Sequence, residues 1–368
     1  MKKRKTGYTT GTCAAAAAAA AGICLLTGEE KETVTVHLPG GRDVDIPIFS
    51  IEKGDNFAEA VVKKFSGDDP DITNGILVHA KVTTDQEGVF HVTGGCGIGK
   101  VTRPGLDQPP GSYAINSVPR KMIRRALIEA AEYAESATGL KAEVSMPEGV
   151  TLARKTFNPR LGIEGGLSIL GTTGIVEPMS EQALVATIKA EISVRIHEGH
   201  RYILAAPGNY GLDFLKETYG IGKDVAIKCS NYVGETIDLC VEKEAVGVLF
   251  VAHIGKFIKV AGGIMNTHSK NADSRMELIA ANALRAGIDP AKAVKALKAF
   301  TTEEALQVFT VEERNALLGE ILPRIEEAVL RRSGESLKAG VILFSSTQGY
   351  LGMSEGASDL LEAIRKEY

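Results

Sequence analysis

Gly247-Val248-Leu249-Phe250-Val251-Ala252 is an unbroken apolar run, too short for a helix and without the alternation of a half-exposed strand. A segment of that kind fits a strand buried on both faces. Three similar runs surround it, at residues 202–206, 225–229 and 341–345, and helical spacing fills most of the sequence between them. Apolar strands separated by helices predict a parallel sheet covered on both sides. Residues 273–332, between the third and fourth runs, are helical in pattern throughout, and residues 181–198 read as a connecting helix. The part from 176 to 368 is therefore expected to be a Rossmann-like α/β domain with a mostly parallel sheet and a helical insertion at 273–332.

Residues 1–175 read differently, as an α+β domain. Residues 33–38 and 42–48 alternate around Pro39-Gly40-Gly41, a hairpin pattern. Residues 76–83 and 89–93 look like a second strand pair, turning at 85–88. Residues 117–138 predict a helix with Ser117 as N-cap, Pro119 in the first turn and Gly139 at its end. Nearer the N-terminus, an alanine-rich run at 13–26 follows the basic Lys2, Lys3, Arg4 and Lys5, which superficially mimics a secretory signal. Polar residues 6–12 separate the two, and the apolar run is shorter than the roughly 20 residues that cross a bilayer. A buried helix capped by Thr9, Thr10 or Thr12 is the expected structure.

The chain of 368 residues suits two domains. Its 42 basic and 46 acidic residues leave a net charge of −4, which excludes a generally basic nucleic-acid binder. With 5% aromatics and no Trp, there is little material for stacking bases. Five cysteines form no C-x-x-C pair, so free thiols and a cytoplasmic location are expected.

Gly94-Gly95-Cys96-Gly97-Ile98-Gly99-Lys100 has the spacing of a phosphate loop, but Val101 stands where Ser or Thr would hold magnesium, and residues 101–105 cannot open a helix. His197-Glu198-Gly199-His200 supplies too few ligands for zinc, and no protein-bound metal is expected. The stronger signals concern anions. Arg120, Lys121, Arg124 and Arg125 crowd the start of their helix, where each cation costs about 0.3–1 kcal/mol against the dipole unless an anion compensates. Equally, their stems serve to cover the core. Arg154, Lys155 and Arg160 bracket Asn158 and lead into a glycine-rich stretch at 162–174. Within it, Gly171, Thr172, Thr173 and Gly174 precede an expected helix start near 178–180, where backbone N–H groups can meet a negative ligand. Two tight turns around a core strand would leave the same pattern.

A third group gathers at the carboxyl ends of the second-domain strands, the usual ligand edge of open α/β sheets. Gly208 and Asn209 follow the first strand, Ser230 and Asn231 the second, and His253, Gly255, Lys256 and Lys259 the third; His268, Asp273 and Arg275 come shortly after. G-x-G-x-x-G is missing, so a dinucleotide is not expected, whereas a single adenosyl group fits. No Ser/His/Asp or Cys/His set can be assigned by spacing.

Several stretches occur together and in order: Gly7-Tyr-Thr-Thr-Gly-Thr-Cys-Ala14, Asp69-Pro-Asp-Ile-Thr-Asn74, Ala114-Ile-Asn-Ser-Val-Pro-Arg-Lys121, Lys155-Thr-Phe-Asn-Pro-Arg-Leu-Gly162 and Lys228-Cys-Ser-Asn231, with residues 207–211 and 253–277. In this combination the sequence resembles the CbiD family, the cobalt-precorrin-5B C-1 methyltransferases of the oxygen-independent vitamin B12 pathway. Two positions depart from the family pattern: Cys96 stands where an acidic residue is frequent, and Ala252 where glycine is. The resemblance implies that S-adenosylmethionine, as co-substrate, donates a methyl group to C-1 of cobalt-precorrin-5B, giving cobalt-precorrin-6A. The partner is then a cobalt-containing tetrapyrrole, with neither nucleic acid nor membrane involved; a homo-oligomer is compatible with this.

On this reading Gly208, Asn209, Ser230, Asn231 and Gly171, Thr172, Thr173 and Gly174 are the candidates for the donor. Arg120, Arg124, Arg154, Asn158, Arg160, Lys256, Lys259 and Arg275 are the candidates for a macrocycle rimmed by carboxylates. His253, His268 and Asp273 are the catalytic candidates. An electron-rich ring carbon needs no strong base, so alignment of the reactants can supply most of the catalysis. The competing class is a non-catalytic corrinoid-binding or metal-loading accessory protein using the same basic residues; an oxidoreductase is disfavoured by the missing fingerprint.

Overall fold

In the computed structural model, which describes residues 4–368, the chain divides into two units, Met1–Glu181 and Gln182–Tyr368. Lys2 and Lys3 of the basic run lie outside the described residues.

The first unit is organised around α1 (Thr10–Thr27). Thr9 caps it by accepting the Thr12 N–H at 3.3 Å, and Gly28 closes it with a left-handed φ of 78°. Every residue from Thr10 to Cys24 is buried, which a helix of small apolar side chains permits on all sides. It has the length and composition to cross a membrane, yet 83% of that window is buried inside the protein. A Cβ on Gly22 would lie 3.0 Å from the Ala130 methyl, so the absent side chain lets α1 approach α2 (Ser117–Tyr133) closely. The hairpin is β1 (Thr33–His37) and β2 (Asp43–Pro47). A five-stranded sheet follows, made of β3 (Ser50–Lys53), β4 (Phe57–Lys63), β5 (Leu77–Asp85), β6 (His91–Gly94) and β7 (Gly139–Ser145), in the order β3-β4-β5-β7-β6. Its buried face presents small and branched residues, among them Ala60, Val62, Ala80, Val82 and Ala142.

Two expectations are corrected here. The strands near 76–83 and 89–93 exist but do not pair: β7 lies between them, antiparallel to β5 and parallel to β6. The long β5 finds in β7 a partner of matching length, and the four-residue β6 is left at the edge. Also, α2 ends at Tyr133 and its N-cap is Asn116; Gly139 opens β7 instead of closing the helix.

The second unit begins with α3 (Glu181–His197). There follow β8 (Tyr202–Ala206), α4 (Asn209–Tyr219), β9 (Ile227–Lys228), α5 (Val233–Glu242), β10 (Gly247–His253) and α6 (Ile254–Phe257). Then come α7 (Arg275–Arg285), α8 (Pro290–Leu297), α9 (Thr302–Gln307), α10 (Val311–Arg332), β11 (Lys338–Ser345), β12 (Gly349–Met353) and α11 (Ala357–Glu367). The sheet runs β9-β8-β10-β11-β12; the first four strands are parallel and β12 is antiparallel. Alternate residues of β10 serve opposite faces. Val248 and Phe250 pack with α3, α5 and the insertion helices, while Leu249 and Val251 pack with α4 and α11. Burial on both faces is why 247–252 carries no polar residue. The expected strand at 225–229 shrinks to two residues, and β12 adds an edge not read from the sequence.

Candidate functional site

In this strand order the chain reverses direction between β8 and β10, and a crevice outside their carboxyl ends follows from the topology. The first element there is Gly208, which caps α4 with extended backbone (φ −172°, ψ −177°), and nothing lies within 4 Å of where its Cβ would stand. The Cys229 N–H donates to the Ala206 carbonyl at 3.0 Å, bringing the ends of β8 and β9 together. Ser230 then adopts φ 53°, a left-handed conformation unusual for a residue with a side chain.

That turn presents Asn231 to the neighbouring segments. Its Oδ1 accepts from Lys256 Nζ at 3.0 Å and from Thr267 Oγ1 at 3.3 Å, and its backbone carbonyl accepts the Thr267 N–H at 3.0 Å. Lys259 is buried, and its ammonium donates to the Ala272 carbonyl at 2.7 Å and the Thr267 carbonyl at 3.2 Å. Arg275 makes a two-pronged contact with Asp273, at 2.6 and 2.9 Å. Together these residues wall a cavity of about 370 Å³, which includes Asn231, Lys256, Lys259, Thr267, His268 and Arg275. Burial lowers the Lys259 pKa; Asp273 opposes the shift, and Arg275 and Lys256 add to it. Arg275 and Lys259 act on the Asp273 carboxylate, and with Lys256 three cations line the cavity, a place where an added anion is stabilised.

His253 ends β10 and caps α6. Its Nδ1 accepts the Gly255 N–H at 3.0 Å. A ring that accepts at Nδ1 carries its proton at Nε2 when neutral. Nε2 stands 3.1 Å from Glu303 Oε1 and 3.0 Å from Ser346 Oγ. Burial lowers the His253 pKa, with the Glu303 charge opposing. The Ser346 N–H also approaches Nε2 at 3.1 Å, so both ring nitrogens are engaged within the protein and the histidine positions the α6 turn. The other catalytic candidates are also placed: His268 Nδ1 accepts the Lys270 N–H at 3.0 Å on the cavity wall, and Asp273 is the counter-ion of Arg275.

Glu303 escaped the sequence reading. It lies in the first turn of α9, and its carboxylate accepts from Ser345 Oγ at 2.7 Å, the Ser346 N–H at 3.1 Å and the Thr347 hydroxyl. Burial alone would raise its pKa; these donors and His253 bring it below the ordinary value.

In the first unit, the anion demanded by the start of α2 belongs to the chain itself. Asp107 accepts the Ser117 N–H and, at 3.0 Å, the Ser117 hydroxyl. Arg120 donates to the Val92 carbonyl at 2.7 Å, and burial lowers its pKa while Asp107 opposes. Arg124 and Arg154 are exposed and Arg160 is half-buried. Asn158 is buried: its Nδ2 donates to the Gly166 carbonyl at 3.0 Å and its Oδ1 accepts from Ser168 Oγ at 3.3 Å. These bonds tie Asn158 to the segment at 166–168.

The Gly171-Thr172-Thr173-Gly174 segment packs against the start of α1. Carbonyls at its two ends face the start of α1: the Leu170 carbonyl accepts the Gly11 N–H at 3.0 Å, and that of Gly174 accepts Thr12 Oγ1 at 2.7 Å. A two-residue strand, Ile175–Val176, follows it, and α3 starts at Glu181, next to the helix start expected near 178–180. The loop at 94–100 is packed on its own chain, with the Gly95 N–H given to Val144 and the Gly99 N–H to Leu167, at 2.8 Å each.

Comparison with known proteins gives a consistent result. Residues 1–178 match the family model described as CbiD, and residues 266–355 match that described as CbiD, C-terminal domain. The chain is 42% identical over 373 residues to the cobalt-precorrin-5B C(1)-methyltransferase of Ruminiclostridium cellulolyticum, covering 100% of this chain and 97% of the relative. It is 47% identical over 307 residues to the protein of the same name from Moorella thermoacetica, covering 83% of this chain and 82% of that one. A crystal structure of a cobalamin biosynthesis protein (cbiD) from Archaeoglobus fulgidus is 28% identical, with a TM-score of 0.41, covering 74% of this chain and 84% of that one.

Proposed function

The chain belongs to the CbiD family, and from that premise we propose how its residues serve the reaction. It is a methyltransferase that acts on C-1 of cobalt-precorrin-5B in cobalamin biosynthesis. The methyl donor this activity implies is S-adenosylmethionine, whose sulfonium supplies an activated methyl group.

The donor lies at the joined ends of β8 and β9, against Gly208, Asn209, Ser230 and Asn231. The open space at Gly208 and the forced turn at Ser230 support this placement. The carboxylate arms of the tetrapyrrole enter the cationic cavity. The single observation that carries this is the meeting of Lys256, Lys259 and Arg275 on the wall of one cavity. Arg124, Arg154 and Arg160 each offer a further guanidinium for a carboxylate. His253 and Glu303 hold the turn that carries Gly255 and Lys256. Methylation of an electron-rich ring carbon needs no proton removed by the protein beforehand, so catalysis rests on orienting sulfonium, methyl and carbon in line.

Incubation of the protein with methyl-13C donor and cobalt-precorrin-5B tests the reading. Carbon NMR of the isolated tetrapyrrole is expected to show one labelled methyl on C-1. Label no greater than with boiled protein, or on another carbon, rejects it.

A further inference from the structure

Of the residues placed against the donor at the ends of β8 and β9, Asn231 alone also lines the cavity that holds Lys256, Lys259 and Arg275. Its backbone is fixed on both sides. The left-handed Ser230 precedes it, its carbonyl accepts the Thr267 N–H at 3.0 Å, and the following Tyr232 pairs with Asn266 in an antiparallel bridge. The side-chain amide is oriented as well. An ammonium can only donate, so the atom 3.0 Å from Lys256 Nζ is the oxygen, Oδ1, and Thr267 Oγ1 donates to the same atom at 3.3 Å. Nδ2 is then the end turned away from Lys256, with two N–H groups that no described residue accepts. A half-buried amide with its oxygen used and its donors open suits a ligand that accepts hydrogen bonds.

Lys256 supplies the other end of the link. Its backbone lies in α6, which His253 caps, while its side chain is exposed and has rotamer freedom to lose. Of its three N–H donors, one goes to Asn231 and two remain for a carboxylate. A carboxylate that engages this ammonium therefore immobilises the side chain that orients the Asn231 amide. We infer that Asn231 couples the two reactants: the Lys256–Asn231 hydrogen bond transmits substrate binding to the Nδ2 end that receives the donor. This inference rests on the donor and cavity placements given under Proposed function. Its sign follows from the ordering. With Lys256 held by substrate, the amide is already oriented and donor binding no longer has to order it, so each reactant strengthens binding of the other. By linkage the factor is the same in both directions.

The test uses S-adenosylhomocysteine, the donor without its transferable methyl group, so that cobalt-precorrin-5B can be present without reaction. Its dissociation constant is measured by calorimetry with and without saturating cobalt-precorrin-5B, for wild type, Lys256→Met, Asn231→Ala and the double variant. Saturation is set for each protein from its own substrate titration, and circular dichroism checks each fold. In wild type, substrate is expected to tighten S-adenosylhomocysteine binding about fivefold or more. In Lys256→Met and in Asn231→Ala that ratio is expected to fall to about one, and to fall no further in the double variant. A wild-type ratio near one overturns the inference. So does a ratio that persists in either single variant, which would assign the coupling to direct contact between the ligands. The placements themselves are read from the single-ligand constants. Unchanged substrate affinity in Lys256→Met rejects the cavity assignment, and unchanged S-adenosylhomocysteine affinity in Asn231→Ala rejects the donor placement; either takes the inference with it.

Discussion

His253 Nε2 and Glu303 Oε1 stand 3.1 Å apart, closing the helical insertion onto the carboxyl end of β10. The contact fixes the imidazole so that Nδ1 caps α6. Protonation there removes the acceptor for the Gly255 N–H. The unfolded chain takes up this proton near pH 6.5, whereas burial lowers the folded-state pKa below that value. Between the two values the unfolded state binds more protons, so stability rises with pH and this contribution is lost as pH falls below about 6.5. Glu303 stays ionised in that window, being held below its ordinary 4.5. His253→Asn keeps a capping oxygen without titrating. Calorimetry near pH 7 and near pH 5.5 is expected to show a larger drop in melting temperature for wild type than for the variant. Equal drops contradict the tautomer assignment.

Gly208 has extended backbone and open space around it, so Gly208→Val costs the fold little and protrudes into the proposed donor site. Donor affinity is expected to fall about tenfold or more, or about 1.4 kcal/mol per decade, with an unchanged circular dichroism spectrum. A folded variant with normal donor affinity moves the pocket away from the end of β8.

Arg160 lies in the short turn Asn158–Leu161. A carboxylate contact from its guanidinium would contribute about 1.5–3 kcal/mol, the range for charge-assisted hydrogen bonds. Arg160→Ala is therefore expected to weaken substrate binding about tenfold or more, and Arg160→Lys to recover only part, since an ammonium cannot form the two-pronged contact. Isothermal titration of both variants decides. Wild-type affinity in both leaves Arg160 a structural residue.

A stability prediction comes from Lys64, whose ammonium is buried and donates to Asp71 Oδ2 at 2.6 Å and to Ser66 Oγ. Removing one partner of a buried pair strands the other charge, at a cost of about 3 kcal/mol when, as here, the carboxylate is partly exposed. Asp71→Ala is expected to lower the unfolding free energy measured by urea titration by that amount, and Lys64→Met in addition to recover much of it. A loss of unfolding free energy for Asp71→Ala below about 1 kcal/mol, the scale of a surface pair, contradicts this.

How much of this was legible in the sequence depends on the range of the forces involved. The run 247–252 announces a central strand because burial on both faces removes every polar residue from it. β12 announces little, since Gly349, Tyr350 and Gly352 are neither alternating nor fully buried. The turn signal at 85–88 is local and cannot reveal that β7 comes between β5 and β6. At the site, Asn231, His253 and Lys256 are visible as polar residues at strand ends. Glu303 arrives from the insertion by tertiary packing, and Asp107 reaches the start of α2 across a loop; neither has a spacing that marks it. Asn158 and the ends of the segment around Gly171 also join the chain to itself, a use of polar and glycine-rich pieces that spacing does not distinguish from ligand binding.

The central claim is that substrate carboxylates are held by the cations of the second-unit cavity. Its most direct test is the dissociation constant of cobalt-precorrin-5B for wild type and Lys256→Met at about 50 mM and about 300 mM salt, between which screening strengthens markedly. The expected result is binding weakened about tenfold in the variant at low salt, with a shallower salt dependence than wild type. Equal affinities and equal salt dependence in the two proteins would contradict the claim.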